Sequence, residues 1–323
     1  MVSFQARLVD GLNKRGFQVS YDLDDRGSAA ILVIGGTRHL PALWRARRRG
    51  IRIVQRLDGM NWIHRRQRTG LRPYLRAEGN NLILAFIRRY LANRIVYQSQ
   101  FSQQWWQRVY GILPCPCQVV YNGIDLDAYS PVGPHQRPKN LFRLLLVEGR
   151  LGQGNAQGME NAVGLVEMLQ SKHHLKVELV VVGDIAPKLQ ATMQGRANGR
   201  ITWAGVLKRD QIPAVDRSAH LLFSADLNAA CPNVVIEALA CGLPVVSFDT
   251  GALRELVGEE AGRVVPYGSD YWHLKPPDLA PLARAAAEIL AVNEHFRQAA
   301  RWHAEACFSL DRMVENYLQA LLG

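Results

Sequence analysis

Short, continuous apolar runs recur along the chain, separated by longer amphipathic stretches. The runs lie at 18–21, 31–34, 51–54, 95–97 and 119–121 in the first half, then at 144–147, 179–182, 201–203, 221–223 and 245–247. Runs apolar at consecutive positions predict strands buried on both faces. Residues 4–13 and 162–170 instead repeat their apolar positions at helical spacing. Strand and helix alternating in this way predict an α/β architecture of parallel sheets with helices on both faces. Ser130, Pro131, Gly133, Pro134 and Pro138 break the alternation and read as an interdomain linker. The expected organisation is therefore a Rossmann-like domain over 1–134, a second over 135–300, and a last helix, 301–323, packing back toward the first. The chain opens on a helix that stops at Gly16, where such a domain ordinarily opens on a strand. Either the first strand of the N-terminal domain is missing from this chain or the domain is trimmed.

Polar residues cluster where the runs end. Gly35, Gly36, Thr37 and Arg38, then Arg56, Leu57, Asp58 and Gly59, then Asn122, Gly123, Ile124 and Asp125 follow runs of the first half. Glu148, Gly149 and Arg150, then Gly183 and Asp184, then Asp226 and Asn228, then Asp249, Thr250 and Gly251 follow those of the second. Ligands of open α/β sheets bind beyond the carboxyl ends of the strands. Two such edges facing one another would form a polar cleft; turn formation alone accounts for any one of these clusters, less easily for all.

Composition narrows the class. The 323 residues suit two domains, and 48% apolar with 21% charged residues is an ordinary globular balance. No apolar run approaches the ~20 residues of a membrane-spanning helix, and with no basic-then-apolar stretch at the start a secretory signal is not expected. Five irregularly placed cysteines make no disulfide framework, and Cys115 and Cys117 lack zinc spacing, so a cytoplasmic setting is expected. The net charge of +11 is concentrated: the first 100 residues carry +13. That half either meets an anionic partner or reflects an arginine-rich genome.

The segment 231–246 carries the most chemistry. Pro232 suits a helix start, and Gly242 with Pro244 stops it. Free amides at that start form an anion site. Glu237 stands about one turn inside, among Val, Ile, Ala and Leu, where a carboxylate needs partners. Vicinal ribose hydroxyls would serve, and so would its own helix or an arginine. Arg150, after the first strand of the second half, could neutralise a leaving diphosphate. The nine histidines are scattered, so no metal site is expected, and no G-x-G-x-x-G follows either first strand, which argues against a dehydrogenase.

From about residue 94 to 268 the sequence resembles the retaining, GT-B-fold glycosyltransferases of family 4 (glycosyl transferases group 1). The resemblance rests on Asn122-Gly123-Ile124-Asp125, Gly149-Arg150-Leu151, Val182-Gly183-Asp184, Trp203-Ala204-Gly205 and the block 231–246. The first 90 residues match loosely, with Gln55, Arg56, Leu57, Asp58 and Gly59 similar to the acceptor-side strand of some members. The resemblance implies a GT-B fold, two Rossmann-like domains with parallel sheets facing across a cleft. It implies a nucleotide-diphosphate sugar as co-substrate on the second domain, no metal, and an acceptor on the first. Arg150 would act on the diphosphate and Glu237 on the ribose. Gly149, Pro232 and Asn233 would approach phosphates or sugar, and Gly205 and Leu207 the base. Asp58, Arg56 and His64 would be acceptor-side. The family's usual acid eight positions before Glu237 is Ala229 here, and Gln157 stands nearest its usual lysine. The Gly152–Gly158 loop would then meet phosphates through its amides.

The resemblance implies transfer of a hexose to a cell-envelope or exopolysaccharide acceptor, a glycan or a lipid-linked one, with retention of configuration. Ala229 keeps open a non-catalytic nucleotide- or glycan-binding protein, and a nucleotide-sugar epimerase would use the same fold. Leu40, Leu43 and Trp44 share one helical face before Arg45, Arg47, Arg48 and Arg49. These arginines either meet an anionic membrane surface on the inner face of the cell membrane or complement the helix's negative end. No nucleic-acid module is recognisable. His64, among Arg65, Arg66 and Arg68, is either acceptor-side or simply exposed.

Overall fold

The computed structural model describes residues 2–67, 70–151 and 156–323. The chain divides into two compact units, Met1–Gly123 with Phe308–Gly323, and Ile124–Cys307. The crossings thus fall at 123/124 and 307/308.

Unit 1 runs α1 (Val2–Asn13), β1 (Ala30–Ile34), α2 (Leu40–Arg48), β2 (Arg52–Leu57), α3 (Leu71–Phe86), β3 (Arg94–Tyr97), α4 (Gln100–Tyr110) and β4 (Cys117–Val119). Its strands pair in parallel in the order β1-β2-β3-β4. Parallel strands are buried on both faces, which is why their sequences read as unbroken apolar runs. On one face Phe4, Leu8 and Leu12 of α1 join Met313, Val314 and Tyr317 of the C-terminal helix against Val54, Val96 and Val120. The other face is filled from Leu43 and Ala46 of α2, Leu84, Ile87, Leu91 and Trp106. Ser99 caps α4 by accepting the Ser102 N–H at 3.1 Å. The run 18–21, expected as a strand, is a connection: Gln18, Ser20 and Tyr21 are exposed, and among the described residues no strand pairs with it.

Unit 2 runs β5 (Phe142–Leu151), α5 (Ala156–Ser171), β6 (Val177–Ile185), α6 (Pro187–Met193), β7 (Ile201–Gly205), α7 (Ile212–Ser218), β8 (Leu221–Ser224), α8 (Asn233–Ala240), β9 (Val245–Phe248), α9 (Leu253–Val257), β10 (Gly262–Val265), α10 (Leu279–Ala291) and α11 (Asn293–Cys307). All strands are parallel, in the order β10-β9-β8-β5-β6-β7. Met159, Val163, Val166 and Leu169 of α5 pack with Leu282, Ala286 and Ile289 of α10 on the strand residues Leu144, Leu146, Leu179 and Val181.

The proline-rich stretch read as a linker belongs to unit 2. Arg217 Nη1 donates to Ser130 O at 3.0 Å, and Arg301 Nη1 donates to Leu126 O and Tyr129 O at 3.1 and 2.8 Å. The buried Arg217 and the half-buried Arg301 thus tie the carbonyls of this irregular stretch to α7 and α11. No helix of the described residues is long and apolar enough to cross a membrane.

Candidate functional site at the strand ends of unit 2

The order of the second sheet decides where a ligand fits. From β5 the chain steps outward through β6 to β7, then crosses back to β8 on the other side of β5 and steps outward again. The winding reverses between β5 and β8, and such a switch point opens a crevice at the carboxyl ends. Here β5 pairs with β8 only at Leu144↔Leu221 and Leu145↔Leu222, whereas it follows β6 as far as Leu151↔Ile185. Beyond Leu145 and Leu222 the two strands therefore part, and Glu148 and Asp226 lie just past the parting. Gly183 sets the floor. Its φ is +141°, and a Cβ there would stand 1.9 Å from Glu148 O, so only glycine lets β6 lie against the turn of β5.

Two carboxyl groups meet at this edge. Burial pushes Glu148 up to about 8, with the Asp226 charge adding to the effect, and burial also raises Asp226. Like charges sharing a desolvated place cannot both ionise, so the pair keeps a proton at neutral pH. Two residues on, Asn228 is 4% exposed with φ +58°, and neither its Oδ1 nor its Nδ2 has a hydrogen-bond partner. The same loop is pinned from below. Ala252 N–H donates to Ala229 O at 2.9 Å, Thr250 Oγ1 donates to Asp226 O at 3.2 Å, and a Cβ on Gly251 would stand 2.6 Å from Ala229 N.

The loop delivers the chain to α8. Pro232, with φ −68° and ψ 119°, occupies the N-cap without a side-chain cap. Helix geometry leaves the first-turn amides without intrahelical acceptors. Leu243 N–H closes the far end on Ala238 O at 2.8 Å, with Gly242 at the left-handed position. Glu237 is half-buried in the middle of α8. Its charge, after burial, helps raise the carboxyl of Asp216, 1% exposed on α7. The Cys241 thiol is pushed up by burial, then by Asp216 and, less, by Glu237. Glu237 is therefore within electrostatic reach of Asp216 and Cys241, on both of which the charge of Arg217 acts with the opposite sign.

Other residues singled out in unit 2 fall at the same edge. Gly149 is exposed with open space before it, and Arg150 pairs through its backbone opposite Asp184. Gly205 ends β7, again with open space, and Leu207 is half-buried beyond it. β7 lies two strands from β5, about 10 Å across the sheet. Residues 152–155 of the glycine-rich loop lie outside the described residues.

Unit 1 separates its three acceptor-side candidates. Asp58 follows β2, its carboxyl raised by burial and drawn down less by Arg56, while its carbonyl accepts Trp106 Nε1–H at 2.7 Å. Arg56, 3% exposed, donates from Nη2 to Asn122 Oδ1 at 2.7 Å and lies 3.7 Å over the Phe4 ring. It braces the Asn122-Gly123 corner from inside. His64 is not exposed: at 9% it contacts Glu78 Oε1 through Nε2 at 2.8 Å and meets Tyr74 edge-on. Arg65 first, then His64, lower Glu78 to about 2. Arg68 lies outside the described residues. Arg45 and Arg49 pair with Asp24, Arg47 donates to Tyr90 O, and Arg48 lies over Trp44 at 3.6 Å. These arginines therefore bind neighbouring groups within unit 1. Among the described residues no three His, Cys, Asp or Glu side chains converge as a metal would require.

Sequence reasoning missed the Glu148–Asp226 pair and Asn228 as a unit. Each stood at a run's end, but pairing them needs the knowledge that β5 and β8 are neighbours, which their separation in sequence conceals.

Comparison with known proteins agrees with this architecture. Residues 31–128 match the model of Glycosyltransferase Family 4, and residues 143–291 that of Glycosyl transferases group 1. A D-inositol 3-phosphate glycosyltransferase of Jonesia denitrificans is 29% identical over 229 residues, 65% of this chain and 52% of the relative. The chain thus spans about half the length of that curated relative. WaaG, a glycosyltransferase involved in lipopolysaccharide biosynthesis, superposes with a TM-score of 0.70 at 16% identity, covering 99% of this chain and 95% of WaaG. Anabaena Alr3699/HepE, solved with UDP and glucose, gives 0.65 at 17% identity over 90% of this chain and 77% of that one. Two parallel-sheet α/β units, the fold likeness to these glycosyltransferases and two family models over successive parts of the sequence lead to one assignment: the chain has the GT-B fold and belongs to the family 4-like, group 1 glycosyltransferases.

Proposed function

We propose that the chain transfers a hexose from a nucleotide-diphosphate sugar to a cell-envelope or exopolysaccharide acceptor, a glycan or a lipid-linked one, with retention of configuration. The observation that carries this reading is the switch point between β5 and β8, with the first turn of α8 following the same strand ends. In this reading the amides from Asn233 onward take phosphate or sugar oxygens, with Pro232 fixing the angle of approach. Arg150 offsets the charge of the leaving diphosphate, so that no metal is called for. Glu237 holds the ribose, Gly149 allows backbone close to the phosphates, and Gly205 and Leu207 flank the base. Ala229 offers the sugar no carboxylate; the protonated Glu148–Asp226 pair and the unpartnered amide of Asn228 supply polar contacts nearby. The leaving phosphate oxygen accepts the acceptor's proton on the face it departs from, so positioning and charge stabilisation provide most of the rate.

Of the acceptor-side candidates, Asp58 keeps that role, since Arg56 and His64 have internal partners. The J. denitrificans relative's name and the UDP and glucose in the Anabaena structure support a nucleotide sugar and a polyhydroxylated acceptor. WaaG's role in lipopolysaccharide biosynthesis supports an envelope product. A cytoplasmic, peripheral location on the inner membrane face fits the +13 of the first 100 residues. It also fits the exposed Leu71, Leu75, Leu82 and Phe86, which share one side of α3 at i, i+4, i+11 and i+15.

A thermal-shift panel of UDP-, GDP- and ADP-sugars tests the donor site. A donor at a hundred times its Kd adds about 2.7 kcal/mol of stability. Glu237→Gln should abolish that shift with the unliganded melting point kept within a few degrees. Absence of a shift with every donor, or a full shift in Glu237→Gln, refutes the assignment. Ala229 favours a second reading, a nucleotide-sugar-binding protein without turnover; binding without either transfer or hydrolysis of the donor would select it.

A further inference from the structure

The amino ends of the unit 2 strands border a second cavity. It has a volume of about 1080 Å³ and is lined by the chain before β5, the approach to β6, His220 before β8 and the α10–α11 junction. Six residues of β5 separate its rim at Phe142 from Glu148, about 20 Å along the strand. It is therefore not part of the crevice at the switch point.

The cavity's charge is one-sided. Arg137, Lys139 and Lys176 line it, against Glu294 as its acidic residue. Two neighbouring arginines have partners: Arg143 donates to Glu178 Oε1 at 2.6 Å and Gln136 O at 3.0 Å, and Arg297 donates to Ala219 O at 3.1 Å. Arg137 differs, since its Nη1 is sealed from solvent and has no hydrogen-bond acceptor. A buried guanidinium nitrogen without an acceptor forfeits its hydration with no compensating bond. Its charge reaches the surrounding groups. His220 is lowered to about 4 by burial, then by Arg137, Arg297 and Arg143, and Arg297 is lowered to about 10 by burial, then by Arg137. His220 Nδ1 accepts the Arg143 N–H at 2.9 Å, so its proton sits on Nε2, and that ring also lines the cavity.

We propose that this cavity is a binding site for a phosphoryl anion, held by Arg137, Lys139 and Lys176 with His220 Nε2–H as a further donor, and distinct from the strand-end crevice. Its volume exceeds the need of one phosphate and lies just above the usual range of small-molecule sites. A phosphorylated metabolite of sugar-phosphate or nucleotide size is thus the fitting source, and free phosphate the smaller one. A rotation of the Arg137 side chain would bring Nη1 to an oxyanion, a bidentate contact that lysine cannot make.

The test titrates the full-length protein with inorganic phosphate, glucose 1-phosphate and ADP while the His220 ring is followed by NMR. An anion beside the ring favours its protonated form, so a bound ligand should raise the His220 pKa by about one unit or more. Arg137→Gln combined with Lys176→Gln should weaken that binding at least tenfold by calorimetry and leave the UDP-sugar thermal shift unchanged. Glucose 1-phosphate or ADP binding at least tenfold tighter than phosphate would identify a metabolite; equal affinity would identify the free anion. A His220 resonance unmoved by all three probes overturns the site, and this measurement needs no variant. Binding that survives the double substitution overturns it as well.

Discussion

Replacing Glu148 with glutamine should flatten part of the protein's stability–pH profile, and the size of the effect follows from its surroundings. The carboxyl stands at about 8 in the fold, against 4.5 for an unburied glutamate. Between those values the folded chain holds a proton that the unfolded chain has released. Stability contributed by this group is therefore complete below about 4.5 and is lost as pH rises toward 8. One proton corresponds to at most about 1.4 kcal/mol per pH unit, and solvent reaching the crevice rim lowers that limit. His220, held at about 4, acts with the opposite sign, gaining stability as pH rises, but chiefly below its ordinary 6.5. Asp216, also raised by burial, contributes alike to wild type and variant, so the difference between the two from pH 6.5 to 7.5 reports Glu148 and its coupling to Asp226. For a domain of this size about 1.4 kcal/mol corresponds to roughly 3–5 °C in melting temperature. Calorimetric melts of the wild type and Glu148→Gln at the two pH values give the comparison directly. The wild type should lose up to that much more than the variant over the interval. Profiles parallel to within 1 °C would mean that Glu148 is ionised and solvated at neutral pH, and the proton-sharing pair would fall with it.

Two further outcomes follow from the same geometry. Gly183→Ala should destabilise the protein by about 3 kcal/mol or more in urea unfolding, since the methyl meets a backbone carbonyl that cannot turn aside; a change below 0.5 kcal/mol would contradict the close approach of β6 to β5. Leu82 and Phe86 are 63% and 43% exposed on α3, so Leu82→Glu with Phe86→Glu should reduce sedimentation with anionic liposomes severalfold at unchanged melting temperature. Undiminished sedimentation would remove that face from the membrane proposal.

Much of the fold was legible because parallel strands bury both faces and so announce themselves as unbroken apolar runs. Positions 31–34, 144–147 and 245–247 read correctly for that reason. The run 18–21 has similar residues and no partner strand, and pairing is not written in a single segment. The strand β10 was overlooked because Gly262 and Arg263 interrupt its apolar character; the glycine lets the β9 backbone approach, and the arginine reaches out to Glu288. The site was legible to the extent that it is local. The α8 start, its Gly242 stop and the isolated acid at 237 are all features of one segment. What escaped depends on strand order. Glu148 and Asp226 are 78 positions apart in sequence and meet because the winding reverses at β5. The internal partners of Arg56 and His64 stayed hidden for a related reason. An arginine near a strand end or a histidine in a following turn looks solvent-directed until its partner is known, and those partners, Asn122 and Glu78, sit 66 and 14 residues away. Charge at a strand end therefore becomes informative about chemistry only after its internal partners are subtracted. By that criterion Asn228 at one edge of unit 2 and Arg137 Nη1 at the other stand among the buried polar groups of the described residues that lack an internal partner, as do Gln55 Oε1 and Asp216 Oδ2 inside the two units.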